Sequence, residues 1–232
     1  MMKSINLRQL IDSDTCTYTY ILWDDTLEAV IIDPVLEQVN RDLEYIKKLN
    51  LNLVYILETH VHADHITGAS EIRSQTNAKI CYGSKTGVTG SDILLKDNDV
   101  INLKSFSIQS IHTPGHTSGC TSYYINGYMF TGDTLFIEGT GRTDFQGGCS
   151  KNIYNSIRNK IFTYPNETII YPGHNYKGLT SSTIEYEKKH NPNVGDNIKI
   201  DDYIERERNM NRPYPKRFDI AVPANMFCGK KN

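Results

Sequence analysis

Thr59-His60-Val61-His62-Ala63-Asp64-His65 packs three imidazoles and a carboxylate into one short stretch. Neutral imidazole and carboxylate are borderline and hard ligands, so such a cluster can hold one or two transition-metal ions. The apolar run Leu53-Val54-Tyr55-Ile56-Leu57 stands just before it and reads as a buried strand. If the chain stays extended past Glu58, His60 and His62 point to the same side, because side chains alternate along a strand. Asp64 and His65 then fall where the chain turns into the next helix. A single histidine at a strand end more commonly satisfies a local hydrogen bond. That bland reading does not account for H-x-H-x-D-H directly after a buried strand.

Three further groups share this context. His116 lies in Pro114-Gly115-His116, Asp133 in Thr131-Gly132-Asp133, and His174 in Pro172-Gly173-His174, each following an apolar run. Loops at strand ends converge on one edge of a sheet, which is how rigid scaffolds build sites. In the two Pro-Gly-His turns, Pro stiffens the turn and Gly is expected to let the backbone pass close to a metal. The residues by themselves leave both a one-metal and a two-metal site open. His112, at a strand end, reads as packing or bonding locally, and His190, closing a helix before Asn191-Pro192, suits the negative end of the helix dipole; both are set aside.

The elements that must position these groups can be read from the pattern. Tyr18–Trp23 and Ala29–Asp33 are β-branched and aromatic runs around Asp24-Asp25 and predict a strand pair. Val39, Leu43, Ile46 and Leu49 share one helical face across residues 37–49. A helix over 67–76 and a short strand at 78–82 follow the motif, and 84–97 reads mainly as loop. Residues 100–103 and 106–111 form a hairpin. Residues 121–125 and 128–131 form another around Asn126-Gly127, a strong two-residue turn signal. Ser150 can cap a helix carrying Ile153, Ile157 and Ile161. A strand at 168–171, polar helices over 181–190 and 201–208, and a Pro-containing tail complete the chain. Strands that come in hairpins, with helices between groups of them, favour two mixed sheets with outer helices over a doubly wound parallel sheet.

The 232 residues suit one domain spanning 1–232, long enough to bury a sizeable core. Lys+Arg is 25 and Asp+Glu is 27, a formal net charge of -2, which gives no electrostatic argument for nucleic acid or an anionic membrane. No apolar run approaches the roughly 20 residues of a membrane helix. Met1-Met2-Lys3-Ser4-Ile5-Asn6 lacks the apolar core of a secretory leader, so secretion is not expected. The five cysteines, Cys16, Cys81, Cys120, Cys149 and Cys228, are scattered and form no C-x-x-C pair. Free thiols in a reducing compartment are expected, with Cys120 closest in sequence to a candidate ligand.

Thr59–His65, Pro114-Gly115-His116-Thr117, Thr131-Gly132-Asp133 and Pro172-Gly173-His174 together resemble the metallo-β-lactamase superfamily. That resemblance implies a four-layer αβ/βα sandwich with metal at one edge, and it says little about the reaction, because fold does not dictate function. Asp33-Pro34-Val35, the extension through Ile66-Thr67-Gly68, Gly141-Arg142-Thr143-Asp144-Phe145-Gln146 and Ala221-Val222-Pro223-Ala224-Asn225-Met226 are similar to one branch, the glutathione-dependent persulfide dioxygenases. This is the family that includes the ethylmalonic encephalopathy protein. The likeness runs from about Arg8 to Gly229, and a fused rhodanese-like domain is not expected.

The resemblance implies one Fe(II) per chain on His60, His116 and Asp133, the two-histidine, one-carboxylate facial triad that leaves positions open for substrate and O₂. His62, Asp64, His65 and His174 become groups that orient ligands and water, or a second metal site. The implied reaction is oxidation of glutathione persulfide by O₂ to sulfite and glutathione. Arg142 is expected to hold a glutathione carboxylate, since a guanidinium grips one bidentately, and an ion pair with Asp144 is the competing role. Tyr176 is expected to hydrogen-bond substrate, with ordinary packing as its alternative. The family implies a mitochondrial matrix location for a eukaryotic source and the cytoplasm for a bacterial one, and a homodimer is compatible with it.

The rival enzyme is a hydroxyacylglutathione hydrolase, in which a metal-bound hydroxide attacks a thioester. Val61 where that family has a third consecutive histidine, the Gly141–Phe145 loop and the short tail after His174 count against it. Lactamase is disfavoured with no export signal, and a nuclease needs an inserted second domain. A non-catalytic binding protein would be marked by a lost ligand, and none is lost.

Overall fold

A computed structural model describes residues 5–230; Met1 to Ser4, read above for a leader, lie outside it. Strands β1 (Asn6–Asp12), β2 (Thr17–Trp23), β3 (Glu28–Ile32), β4 (Asn52–Leu57), β5 (Lys79–Gly83) and β6 (Ile93–Leu95) form one sheet in chain order. Strands β7 (Val100–Asn102), β8 (Ser107–His112), β9 (Thr121–Ile125) and β10 (Tyr128–Gly132) begin the second. After a small pair, β11 (Leu135–Phe136) and β12 (Gly139–Thr140), it is completed by β13 (Ile169–Pro172) and β14 (Ser182–Thr183). Its order is β14-β13-β10-β9-β8-β7. Both sheets are mixed: β3, β4, β5 and β6 pair in parallel, and so do β10 and β13, while the remaining pairs are antiparallel.

The pleat sorts the side chains into layers. Tyr20, Leu22, Val30, Ile32 and Leu57 face inward and meet Phe106, Ile108, Tyr123, Ile125 and Phe130 between the sheets. Ile21, Ile31 and Ile56 face the other way, onto Val39 and Ile46 of helix α1 (Val39–Lys48) and Ile72 of α2 (Ala69–Thr76). Behind the second sheet, Met129 and Ile170 pack on Ile153 and Ile157 of α3 (Ser150–Asn159). Ile184 of α4 (Ile184–His190) and Tyr203 of α5 (Ile200–Asn209) join that outer layer. The result is the expected αβ/βα sandwich. Each fully buried Ile, Leu or Phe contributes about 1.5–3 kcal/mol, so three such layers hold the strand ends rigidly.

Several local expectations are corrected. β1 and β6 are strands where a start and a loop were read. Both are edge strands with weak apolar patterning, and their partners in the sheet rather than their sequence make them strands. Ser150 does not cap α3: Cys149 occupies the cap without a side-chain bond, and Ser150 Oγ lies 2.8 Å from Thr143 Oγ1. The stretch read as a helix from residue 181 begins as the edge strand β14, with Thr183 capping α4. The Pro-containing tail folds into a helix, α6 (Phe218–Asn225), despite Pro223 inside it. The Asn126-Gly127 turn is as read, with both residues at positive φ (46° and 88°) joining β9 to β10.

Candidate metal centre

Four strands deliver the site. β4 ends just before Glu58, and the chain then presents His60 to His65 before α2. β10 and β13 run parallel with Gly132 opposite Pro172, so Asp133 and His174 emerge side by side. β8 leads into the turn that carries His116. Gly173 makes this meeting close, since a Cβ there would strike Asp133 Oδ1. Gly115 does something different from the expectation: at φ 146° it makes room for the backbone of Ile153 in α3, not for a metal. One Pro-Gly-His turn is therefore shaped by the site and the other by helix packing.

His60, His116 and Asp133 each offer one ligand atom, and these atoms lie within 4.8 Å of one another. His116 Nδ1–H donates to the Arg142 carbonyl oxygen at 2.8 Å, which leaves the Nε2 lone pair facing Asp133 Oδ2 at 3.6 Å. Thr59 donates its hydroxyl to Asp33 Oδ2 (2.8 Å) and lies 3.0 Å from His60 Nδ1, so that nitrogen carries the proton and Nε2 is free. Burial, with two neighbouring histidines, holds His60 well below the ordinary imidazole range. Asp133 Oδ1 is buried with no hydrogen-bond partner. Two imidazoles with fixed tautomers, a carboxylate and an unpartnered buried oxygen fit a metal ion.

The other four candidates form a second corner. His62 turns its Nε2 to Asp33 Oδ1 (3.2 Å) and Glu58 Oε2 (3.4 Å). Burial would depress His62, but these two carboxylates outweigh it and raise it well above the usual range. Asp64 Oδ2 lies 3.0 Å from His65 Nδ1 and 3.6 Å from His174 Nε2, and it accepts from Thr17 Oγ1 at 3.1 Å. His174 Nδ1–H donates to the Cys16 carbonyl at 3.2 Å and its Nε2 stands 3.5 Å from Asp133 Oδ1. His65 Nε2 is buried without a partner. His62, Asp64 and His65 also lie close enough together to be a metal group.

A cavity of about 450 Å³ opens over Asp133, His116 and His174, and Arg142 and Tyr176 line it. Arg142 is already bidentate on Asp144 (Nε–Oδ1 and Nη2–Oδ2 both 2.7 Å), and Nη1 donates to the Pro213 carbonyl at 2.9 Å. Tyr176 is 72% exposed and stacks parallel to His174 with centroids 5.9 Å apart. Cys120 is buried, its sulfur accepting from Thr117 N at 3.2 Å, and burial pushes its thiol up to about 11, so it is no nucleophile. His112 bonds the Ser118 carbonyl locally, as read, and His190, in the last turn of α4, packs on Tyr186.

Sequence reasoning missed four supports. Asp33 and Glu58 set the orientation of His62. Asn225 of α6 donates to the carbonyls of His62 (2.9 Å) and His65 (2.8 Å) and accepts from Thr67 N (2.9 Å), tying down the whole turn. Gln146 holds the Val61 carbonyl at 2.8 Å. Asp33, Gln146 and Asn225 sit in the D-P-V, G-R-T-D-F-Q and A-V-P-A-N-M segments, which was the available signal.

The metallo-β-lactamase superfamily model matches residues 15–174. The human "Persulfide dioxygenase ETHE1, mitochondrial" is 44% identical over 228 residues, covering 97% of this chain and 89% of that protein. The mouse protein of the same name is 45% identical over 226 residues, 96% and 88% of the two chains. The chain belongs to the persulfide dioxygenase family. The crystal structure of ETHE1 from Myxococcus xanthus superposes with a TM-score of 0.94 at 43% identity, covering 97% of this chain and 100% of that one. A hydroxyacylglutathione hydrolase from Pelagibacter ubique is more distant, 35% identical over 216 residues, 90% and 87% of the chains. Among the described residues, no helix is long and apolar enough to cross a membrane.

Proposed function

We propose that this persulfide dioxygenase family member oxidises glutathione persulfide with O₂ at one ferrous ion held by His60, His116 and Asp133. The observation that carries the reading is the His60–His116–Asp133 group, with ligand atoms within 4.8 Å, of which His116 and Asp133 line a cavity that Arg142 lines too. Two imidazoles and one carboxylate are the donor set of non-haem iron oxygenases. When bound, ferrous iron supplies redox chemistry and open positions for a soft sulfur anion and for O₂.

The chain's own groups do the rest. The Arg142 carbonyl and Thr59 fix the tautomers of His116 and His60, so both present lone pairs inward. His62, drawn to Asp33 and Glu58, stays outside that group, which keeps coordination positions free. The Arg142 side chain offers its guanidinium to a substrate carboxylate once the exposed Asp144 swings away. The exchange replaces one carboxylate by another on the same guanidinium, so the charge-assisted hydrogen bonds lost to Asp144 are remade to substrate. Tyr176, exposed at the mouth, offers its hydroxyl to the same substrate. The balance is glutathione persulfide plus O₂ plus H₂O giving glutathione, sulfite and two protons, with the S–S bond broken and the terminal sulfur oxidised. We place a eukaryotic protein of this kind in the mitochondrial matrix, after its mammalian relatives, and a bacterial one in the cytoplasm.

A second reading, hydroxyacylglutathione hydrolase, is favoured by one observation: Asp64, His65 and His174 gather beside Asp133 as a second metal would require. Oxygen uptake separates the two. The iron form should consume O₂ in step with sulfite on glutathione persulfide, stop under nitrogen, and leave S-lactoylglutathione almost untouched. Brisk thioester cleavage without O₂, and no persulfide-dependent uptake, would establish the hydrolase instead.

A further inference from the structure

His62 stands between two sets of neighbours. Its ring centroid is 4.0 Å from that of His60 and 4.3 Å from that of His65, and the His60 ring is 4.8 Å from His116. Its Nε2, however, lies against Asp33 Oδ1 (3.2 Å) and Glu58 Oε2 (3.4 Å). No aligned hydrogen bond fixes the ring, since neither Nδ1 nor Nε2 has a hydrogen-bond partner. What holds it aside is its nearness to two buried carboxylates, with little solvent to screen them.

The two carboxylates are not equivalent. Asp33 also accepts from Thr59 N (2.7 Å) and Thr59 Oγ1 (2.8 Å), so it supports the His60 side of the centre as well. The Glu58 side chain has one further partner, the Thr67 hydroxyl on Oε1, and its Oε2 is buried without a hydrogen bond. Among the described residues, Glu58 is therefore the carboxylate that bears on His62 without also bearing on Thr59.

Metal choice depends on where that ring points. Three imidazoles are a donor set that suits zinc, whereas two imidazoles and a carboxylate with open positions suit ferrous iron. His60 and its two ring neighbours, His62 and His116, would make such a trio once His62 is released. We infer that Glu58 is a specificity-determining residue for the metal: by holding His62 aside it keeps the centre a two-histidine, one-carboxylate site and selects against zinc. Glu58 touches neither metal nor substrate; it is a positioning residue that acts through His62. This inference rests on the His60–His116–Asp133 centre proposed above.

The test reads metal affinity, not turnover. Iron-loaded and zinc-loaded protein are each challenged anaerobically with a competing chelator, and the metal retained is measured by elemental analysis. Glu58→Gln keeps an acceptor for Thr67 and removes the charge. It should raise the ratio of zinc to iron affinity by about ten- to a hundredfold, the scale on which groups behind a ligand act. Glu58→Met, which removes charge and acceptor together, should move the ratio in the same direction. With cobalt(II) in place of iron, both variants should absorb more strongly in the visible, as a further imidazole replaces solvent. Adding His62→Ala to either variant should return the ratio and the spectrum to those of the unaltered protein. A Glu58 that only supports the fold predicts the opposite, weaker retention of both metals. If neither variant raises the ratio, or if the rise persists without His62, the inference falls. It falls equally if the unaltered protein binds a second ion on Asp33, Glu58 and His62, whose ligand atoms also lie within 4.8 Å of one another. Because turnover is not read, an absence of persulfide-dependent O₂ uptake would overturn the reaction assignment and leave these outcomes as they are.

Discussion

Two groups of ionisable side chains leave the same strand ends and end up in different states. His60 and His116 hand their Nδ1 protons to an oxygen of Thr59 and of Arg142, so each keeps a lone pair pointed at Asp133. His62 has its Nε2 between two carboxylates, and His65 and His174 share Asp64. The first corner is a set of neutral donors around an unpartnered carboxylate oxygen. The second is a denser cluster of histidines and carboxylates, in which Glu58 Oε2, both ring nitrogens of His62 and His65 Nε2 are buried without a hydrogen-bond partner. The difference is sharpest at His62, whose Nε2 faces the Asp33 and Glu58 carboxylates, whereas His174, like His116, rests its Nδ1–H on a neutral backbone carbonyl.

The largest effects should come from the first corner. His60→Ala, His116→Ala or Asp133→Ala should each abolish iron binding and activity, against about one iron per chain in anaerobically purified protein. A variant of this set that retains stoichiometric iron would erase the distinction between the corners. Zinc substitution should leave substrate binding intact and stop turnover, because Zn²⁺ has no accessible redox change. Two tightly held zinc ions in active protein would instead make the corners equal partners and revive the hydrolase.

Arg142 links the first corner to the cavity. Arg142→Ala should raise KM for glutathione persulfide by roughly ten- to a hundredfold with iron content near normal, and Arg142→Lys should recover only part of the loss. A lowered melting temperature with unchanged KM would leave it as the Asp144 and Pro213 tie alone. Next is Asn225→Ala, which frees two carbonyls and one N–H in the turn of the second corner. A loss of about 2–3 kcal/mol is expected, a fall of roughly 4–12 °C in Tm for a chain of this size, readable by thermal denaturation. The smallest change in metal content should come from His62→Gln, which stays near one iron per chain by elemental analysis. Loss of iron there would mean that His62 is a ligand and that the two corners are one.

The sequence alone carried the strand before each ligand, the turn after it and the spacing of His60 to His65. These are local matters of pleat, turn chemistry and apolar runs, and they were enough to place all seven candidate groups at one edge of two sheets. It also carried the inter-sheet core, because alternation along β2 and β3 names which residues face which way. It could not separate His60 from His62, two histidines of one turn that both lie beyond the end of β4. That separation depends on partners far away in the chain. Asp33 reaches Thr59 across 26 residues, and Asn225 reaches the His62 carbonyl across 163. Edge strands β1 and β6, with weak patterning, and helix α6, with its proline, were decided by what packs or pairs beside them. The same holds for Arg212. In sequence it is one cation in a polar tail, and only tertiary packing sets it on buried Glu207 and turns it into the wall of the cavity.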